Sequence, residues 1–191
     1  MQNKLKTHLI TTELFLKGSS FYRGIVLTVA LVLPFALLNI TNLFEFAPAI
    51  ALGTFLNAPS DVPGSLRRKI NGILISILLT LLVSFIVFVT KPYFILLLIA
   101  IAIISFLVSL ISVYGFRASL ISFSGLLAIV LTLAVEKTDI KAIVLHVGLL
   151  GVGGLWYLIV SLLSNWLFPK KDDDQLLSDT LQLTGEFLKI R

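Results

Sequence analysis

Cysteine does not occur among the 191 residues, which excludes disulfides, thiolate metal sites and thiol nucleophiles. Charge is nearly as scarce. Asp, Glu, Lys and Arg make up 13% of the chain, against about 25% in an ordinary soluble domain. There are two histidines, and no metal-ligand spacing, Gly-rich phosphate-binding motif or carboxylate pair at catalytic spacing. The chain is therefore read as non-enzymatic, with no metal and no cofactor. No cleavable signal is expected, because the first long apolar run starts near Gly24 without a small-residue cleavage site before it.

Apolar residues are what the chain has in abundance: 58% of it is hydrophobic and the mean hydropathy is +1.05. A water-soluble fold is excluded, and the first partner is the lipid bilayer. The net charge of +5 could suggest nucleic acid, but the cations flank apolar segments instead of forming a polar face, so no nucleic-acid partner is expected. Six segments approach the length of about 20 residues that a helical span needs. They are residues 24–40, 43–58, 70–90, 92–113, 116–135 and 140–168. The second is short and carries Pro48.

The expected fold is all-α: a six-span transmembrane helical bundle over residues 24–168, with short amphipathic cytosolic flanks at 1–23 and 169–191. Lys and Arg placement sets the orientation. One side collects Lys4, Lys6, Lys17, Arg23, Arg67, Arg68, Lys69, Arg117, Lys170, Lys171, Lys189 and Arg191, whereas the other has Lys91, Lys137 and Lys141. That bias places both termini in the cytoplasm. After Pro169, Leu176, Leu177, Leu181, Phe187 and Leu188 recur at helical spacing. This second flank is expected to begin a further cytosolic domain, or to dock onto another subunit.

Turn chemistry and charge meet in "LGTFLNAPSDVPGSLRRKING", residues 52–72. Pro63 and Gly64 suit a type II turn, and Ser65 is placed to cap the third span. Arg67, Arg68 and Lys69 then fall in a first helical turn, where the macrodipole disfavours cations by roughly 0.3–1 kcal/mol each. Membrane orientation and anionic headgroups are one explanation. An anion site, with Asp61 steering the arginines, is the other.

The order of four features carries a resemblance: "SDVPGSLRRKING" after a short second span, "YGFR" opening the fifth, "GGLWYLIVSLLSNWLFP" closing the sixth, and an amphipathic helix directly behind it. In these the chain resembles the YccS/YhfK-like branch of the fusaric-acid-resistance (FUSC) membrane proteins, over the N-terminal transmembrane half. The resemblance implies a bacterial inner-membrane exporter of organic, anionic or aromatic-acid solutes. It also implies either a homo-oligomer, such as a dimer, or a second transmembrane half in a longer chain. Asp61, Pro63, Gly64 and Arg67 are the matching turn positions. An anion-channel-like conductor and a non-transporting membrane anchor for a cytosolic domain are the rival readings.

Candidates for the substrate or anion path are Arg67, Arg68, Asp61, Arg23, Arg117, Asn71, Glu45 and His146. Glu45 is expected near the outer mouth, and Arg23 and Arg117 at inner helix ends, where they can also snorkel to headgroups. Gly148, Gly151 and Gly154 share one face of the sixth span, and Ser122 and Gly125 one face of the fifth, as helix-packing surfaces. These two faces are expected to meet each other or a second copy. "SFSG" with His146 invites a serine–histidine protease reading, but the two lie about 10 Å apart in depth, beyond hydrogen-bond reach.

The topology is testable on a chain with no native thiol. Single cysteines introduced as Ser65→Cys and Thr138→Cys are expected to label from opposite sides of the membrane. Labelling from one side would overturn the six-span arrangement.

Overall fold

The computed structural model describes residues 19–62, 64–136 and 139–167, with Leu181 alone beyond them, and side chains from Gly24 onward. Residues 1–18, Pro63, Lys137, Thr138, the Arg23 side chain and the second flank apart from Leu181 lie outside the described residues, and the first described helix begins inside the flank expected over 1–23. The described chain is helical: α1 (Ser19–Ile40), α2 (Ala47–Asn57), α3 (Leu66–Thr90), α4 (Phe94–Ile111), α5 (Phe116–Ala134) and α6 (Ile140–Leu167), with 3-10 turns at Phe44–Phe46, Ala58–Ser60 and Ser112–Tyr114. The stretches Leu66–Thr90, Phe94–Tyr114, Phe116–Ala134 and Ile140–Trp166 are each long and apolar enough to cross a membrane.

The second expected span is not one α-helix. It is α2, 11 residues long, extended by a 3-10 turn at each end. Laid end to end, the wider rise of the 3-10 turns brings its contour to roughly 28 Å, close to a hydrocarbon core of about 30 Å. Helix boundaries have local causes. Asn42 takes a positive φ of 56° after α1. Pro92 follows the end of α3, and Gly115, at φ 112°, separates α4 from α5 in a conformation that side chains rarely adopt. The expected Ser65 cap is not made. Ser65 stands at the N-cap of α3 without a side-chain hydrogen bond, and only its carbonyl takes part, accepting the first intrahelical bond from the Lys69 amide at 3.0 Å.

Helix α3 occupies the middle of the bundle, packed on α5 and α6, and α2 lies along α6 and α1. One apolar cluster joins Leu56, Val83, Val87, Ile104, Val108, Ala128, Ile129 and Leu150; the other joins Ala30, Ile73, Ile77 and Tyr157. The small-residue faces of α5 and α6 each meet α3 rather than one another. Gly125 sits against Leu79, and also against Val108 of α4, while Gly151 sits against Leu81. A Cβ on Gly148 would meet none of the described residues.

The tightest approach is elsewhere. A Cβ on Gly53 would strike the Leu150 carbonyl, and one on Gly153 would strike the Ile50 carbonyl. The two backbones thus touch at one reciprocal crossing, and the Thr54 hydroxyl donates across it to the Gly153 carbonyl at 3.1 Å. At the far end of α3, Lys91 Nζ donates to the Leu133 and Val135 carbonyls at 2.8 and 2.7 Å, satisfying the open C-terminus of α5.

Exposed aromatics bracket α4: Tyr93 and Phe94 at one end, Tyr114 and Phe116 at the other. The contour from Phe94 to Tyr114 is about 33 Å, the span between two membrane interfaces where such rings collect. Trp166, 79% exposed, marks the Tyr114 end on α6. That end also carries Arg67, Arg68 and Arg117 and is called the basic end below.

The crossing predicts a ranking of glycine substitutions. Gly53→Ala and Gly153→Ala should each destabilise the detergent-solubilised protein by about 1–3 kcal/mol, because backbone must move to admit the methyl. Gly148→Ala, facing open space, should be neutral or stabilising by up to about 1 kcal/mol. Thermal unfolding of the three variants checks the order.

Candidate functional site

Successive residues on a helix are rotated by about 100°, so the three cations that open α3 cannot share a direction. Arg67 and Arg68 are exposed, whereas Lys69 turns into the bundle. Asp61 emerges from the 3-10 turn that ends α2 and faces it. The ion pair that the sequence suggested for Asp61 with arginine is made with Lys69 instead. Lys69 Nζ lies 3.0 Å from Asp61 Oδ1, with the two side chains 13% and 16% exposed.

The second carboxylate oxygen is also engaged. Ser161 Oγ donates to Asp61 Oδ2 at 2.6 Å, and Tyr157 OH donates to the same oxygen at 3.1 Å. Lys69 reaches the Ser161 carbonyl as well, at 3.5 Å. Three donors from two helices therefore converge on one carboxylate. Tyr157 and Ser161 stand one turn apart on α6, which aligns their hydroxyls on one face.

The depth of this cluster follows from α6. Ser161 precedes Trp166 by five residues, about 7–8 Å along the helix axis. The cluster is thus inside the level of the aromatic belt, where an ionised pair needs its own hydrogen-bonding partners. Deeper still, Asn57 packs beside Gly154, about 18 Å from the Trp166 level. Its Nδ2 donates to the Gly53 carbonyl at 2.8 Å, while Asn57 Oδ1 and the buried Ser76 Oγ have no hydrogen-bond partner among the described residues. Ser60 Oγ, between the two levels, donates to the Asn57 carbonyl at 2.7 Å.

The other candidates are dispersed. The Arg117 guanidinium lies against Gly64, which has φ 144°, and so borders the cluster. Asn71 is exposed on α3, and Glu45 is exposed at the opposite end of the bundle. His146 packs edge-on against Phe88 with ring centroids 5.6 Å apart. Ser122 Oγ donates to the Val108 carbonyl at 2.7 Å and Ser124 Oγ to the Leu120 carbonyl at 3.2 Å. Among the described residues no three of His, Asp and Glu gather into a metal site.

Lys69, Tyr157 and Ser161 are the residues that sequence reasoning missed. Lys69 counted among the charges that set membrane orientation, and neither hydroxyl of α6 was singled out as a donor. The available signal was the Tyr-x-x-x-Ser spacing in a largely apolar helix. If the cluster is a cooperative unit, Lys69→Met should cost roughly 1–3 kcal/mol, between the values for exposed and buried ion pairs. Tyr157→Phe and Ser161→Ala should cost about as much, each removing a bond to a charged group. Arg67→Met should stay within about 0.5 kcal/mol. Thermal denaturation in detergent measures all four.

No curated protein and no solved structure matches the chain. The model of one family does, that of the FUSC-like inner membrane protein yccS, over residues 72–191. The match covers most of the apolar helices described above, from the first turns of α3 to the end of the chain. By that match the chain belongs to the FUSC-like inner membrane protein family.

Proposed function

We propose that this membrane protein is an exporter of organic, anionic solutes, with aromatic acids as the leading substrate class. The observation that carries the reading is the Asp61–Lys69 pair, held with Tyr157 and Ser161 inside the level of the aromatic belt. In a chain with so few charges, an ionisable pair at that depth is a candidate station on a solute path. Arg67 and Arg68 are exposed at the same end, where they would raise the local concentration of anions. Beyond the pair, Asn57 Oδ1 and Ser76 Oγ, unpartnered among the described residues, supply polar groups that a passing solute or water could satisfy.

The charge bias supports a cytoplasmic basic end, which would make the cluster the loading side of an exporter. Helix α4 buries only Ile104 and Val108 among its residues. Its broad apolar face would meet lipid, a second copy, or a second transmembrane half of a longer chain.

Flux tests the proposal. Full-length protein in proteoliposomes should move benzoate or a related aromatic acid, with a rate that saturates with substrate. Lys69→Met should lower that rate by roughly 10–150-fold, the equivalent of one lost hydrogen bond to a charged group. Arg67→Met, which removes only a mouth charge, should lower it by no more than about threefold at moderate salt. Flux without saturation would favour a channel. No flux in any condition would favour the membrane anchor.

A further inference from the structure

Three donors from two helices surround the Asp61 carboxylate, and Asp61 itself is not part of either helix. Lys69 Nζ, Tyr157 OH and Ser161 Oγ are held by α3 and α6. Asp61 follows a 3-10 turn and has φ −77° and ψ 87°, outside any regular element. The donors are thus mounted on the rigid part of the site and the acceptor on the irregular part. A cationic donor with two hydroxyls is what a helical bundle would present to a free carboxylate.

We infer that Lys69, Tyr157 and Ser161 form a carboxylate-binding site that Asp61 occupies as a resident stand-in for the substrate. A monocarboxylic acid entering from the basic end takes the place of Asp61 when its side chain rotates away. The exchange leaves the charge of the site unchanged, because one carboxylate replaces another beside Lys69. No bare ammonium is left inside the aromatic belt, which would be costly.

The surroundings favour one carboxylate on an apolar body. Ile73 stands one turn deeper than Lys69 on the same face of α3, and it packs in a cluster with Ile77 and the Tyr157 ring, with Ala58 against it. An acid whose carboxylate meets Lys69 places its remaining atoms toward this apolar wall. A dicarboxylate would carry a second charge onto this apolar wall, where burying it is costly. The site should therefore prefer benzoate to succinate.

Loss of the resident carboxylate should strengthen binding of an added one. If Asp61 holds the donors at least nine-tenths of the time, its removal raises apparent affinity at least about tenfold. The inference rests on the transport reading for its purpose, but binding in detergent tests it separately. In the full chain, Asp61→Ala should bind benzoate at least about tenfold more tightly than wild type by thermal shift or calorimetry. Succinate and chloride at matched ionic strength should give no comparable gain. The Asp61→Ala/Lys69→Met double variant should lose the gain.

If Asp61→Ala cannot be purified, Asp61→Asn serves, since its amide oxygen can still accept from the two hydroxyls while lacking the competing charge. No gain in the variant used, an equal gain with chloride, or a gain that survives Lys69→Met would each overturn the inference. Wild-type flux without the binding gain would leave the transport reading intact. The binding gain without flux would leave the site intact and remove the transport reading.

Discussion

The rest of the bundle is arranged around one contact, the crossing of α2 and α6 at Gly53 and Gly153. In hydrocarbon, apolar side chains gain nothing by leaving lipid for one another, so helix association depends on close packing and interhelical hydrogen bonds. Here both occur at one place. Each glycine faces the other helix's carbonyl, and Thr54 bridges the gap to Gly153. Because α2 is only 11 residues long, its last turn then lies deep in the bundle, with Asn57 against Gly154. From there the chain returns toward the basic end and meets α6 again at Ser161 through Asp61. Helix α6 acts as a ruler: seven residues separate Gly154 from Ser161, two turns that set how far Asp61 is from Asn57.

Stability alone does not account for an ion pair at this position. Apolar replacements of similar volume often leave a protein equally stable or more so, and the neighbouring cluster of Ala30, Ile73, Ile77 and Tyr157 shows that apolar packing is available beside it. The pair also differs from the lysine at the other end of α3. Lys91 is bonded to two helix-terminal carbonyls, groups that are open at every helix end and that favour a cation. That lysine answers a requirement of the fold. Lys69 stands in the first turn of α3, where the helix dipole opposes it, and its partners had to be brought from two other segments.

Much of the fold was legible in the sequence because hydropathy reports length and burial in lipid directly. The long helices begin and end within a few residues of the apolar runs. The second segment was legible as short, but not as a helix lengthened by 3-10 turns, since that depends on how its ends are held. What hydropathy cannot report is rotation about a helix axis. Arg67, Arg68 and Lys69 are equivalent as charges, yet only Lys69 faces inward, and neighbouring residues differ by about 100°. The same limit affected the glycines. The spacing of Gly148, Gly151 and Gly154 defines a face, but the backbone contact falls on Gly153, and Gly53 on α2 is what selects it. Tyr157 was not legible as a donor, because its acceptor is 96 residues away in the chain.

Helix α3 thus has a lysine tether at each end, to different neighbours. At the basic end Lys69 joins it to Asp61 and α6; at the other end Lys91 joins it to α5. Between them its contacts with α5 and α6 are apolar side chains and small hydroxyls, such as Thr132 donating to Ser84 at 3.0 Å. The two tethers differ in kind. Backbone carbonyls cannot be exchanged for a solute, whereas a side-chain carboxylate can be replaced by another carboxylate without changing the charge of the site. The exchangeable tether is thus at one end of α3, while the carbonyls at the other end fix its register against α5.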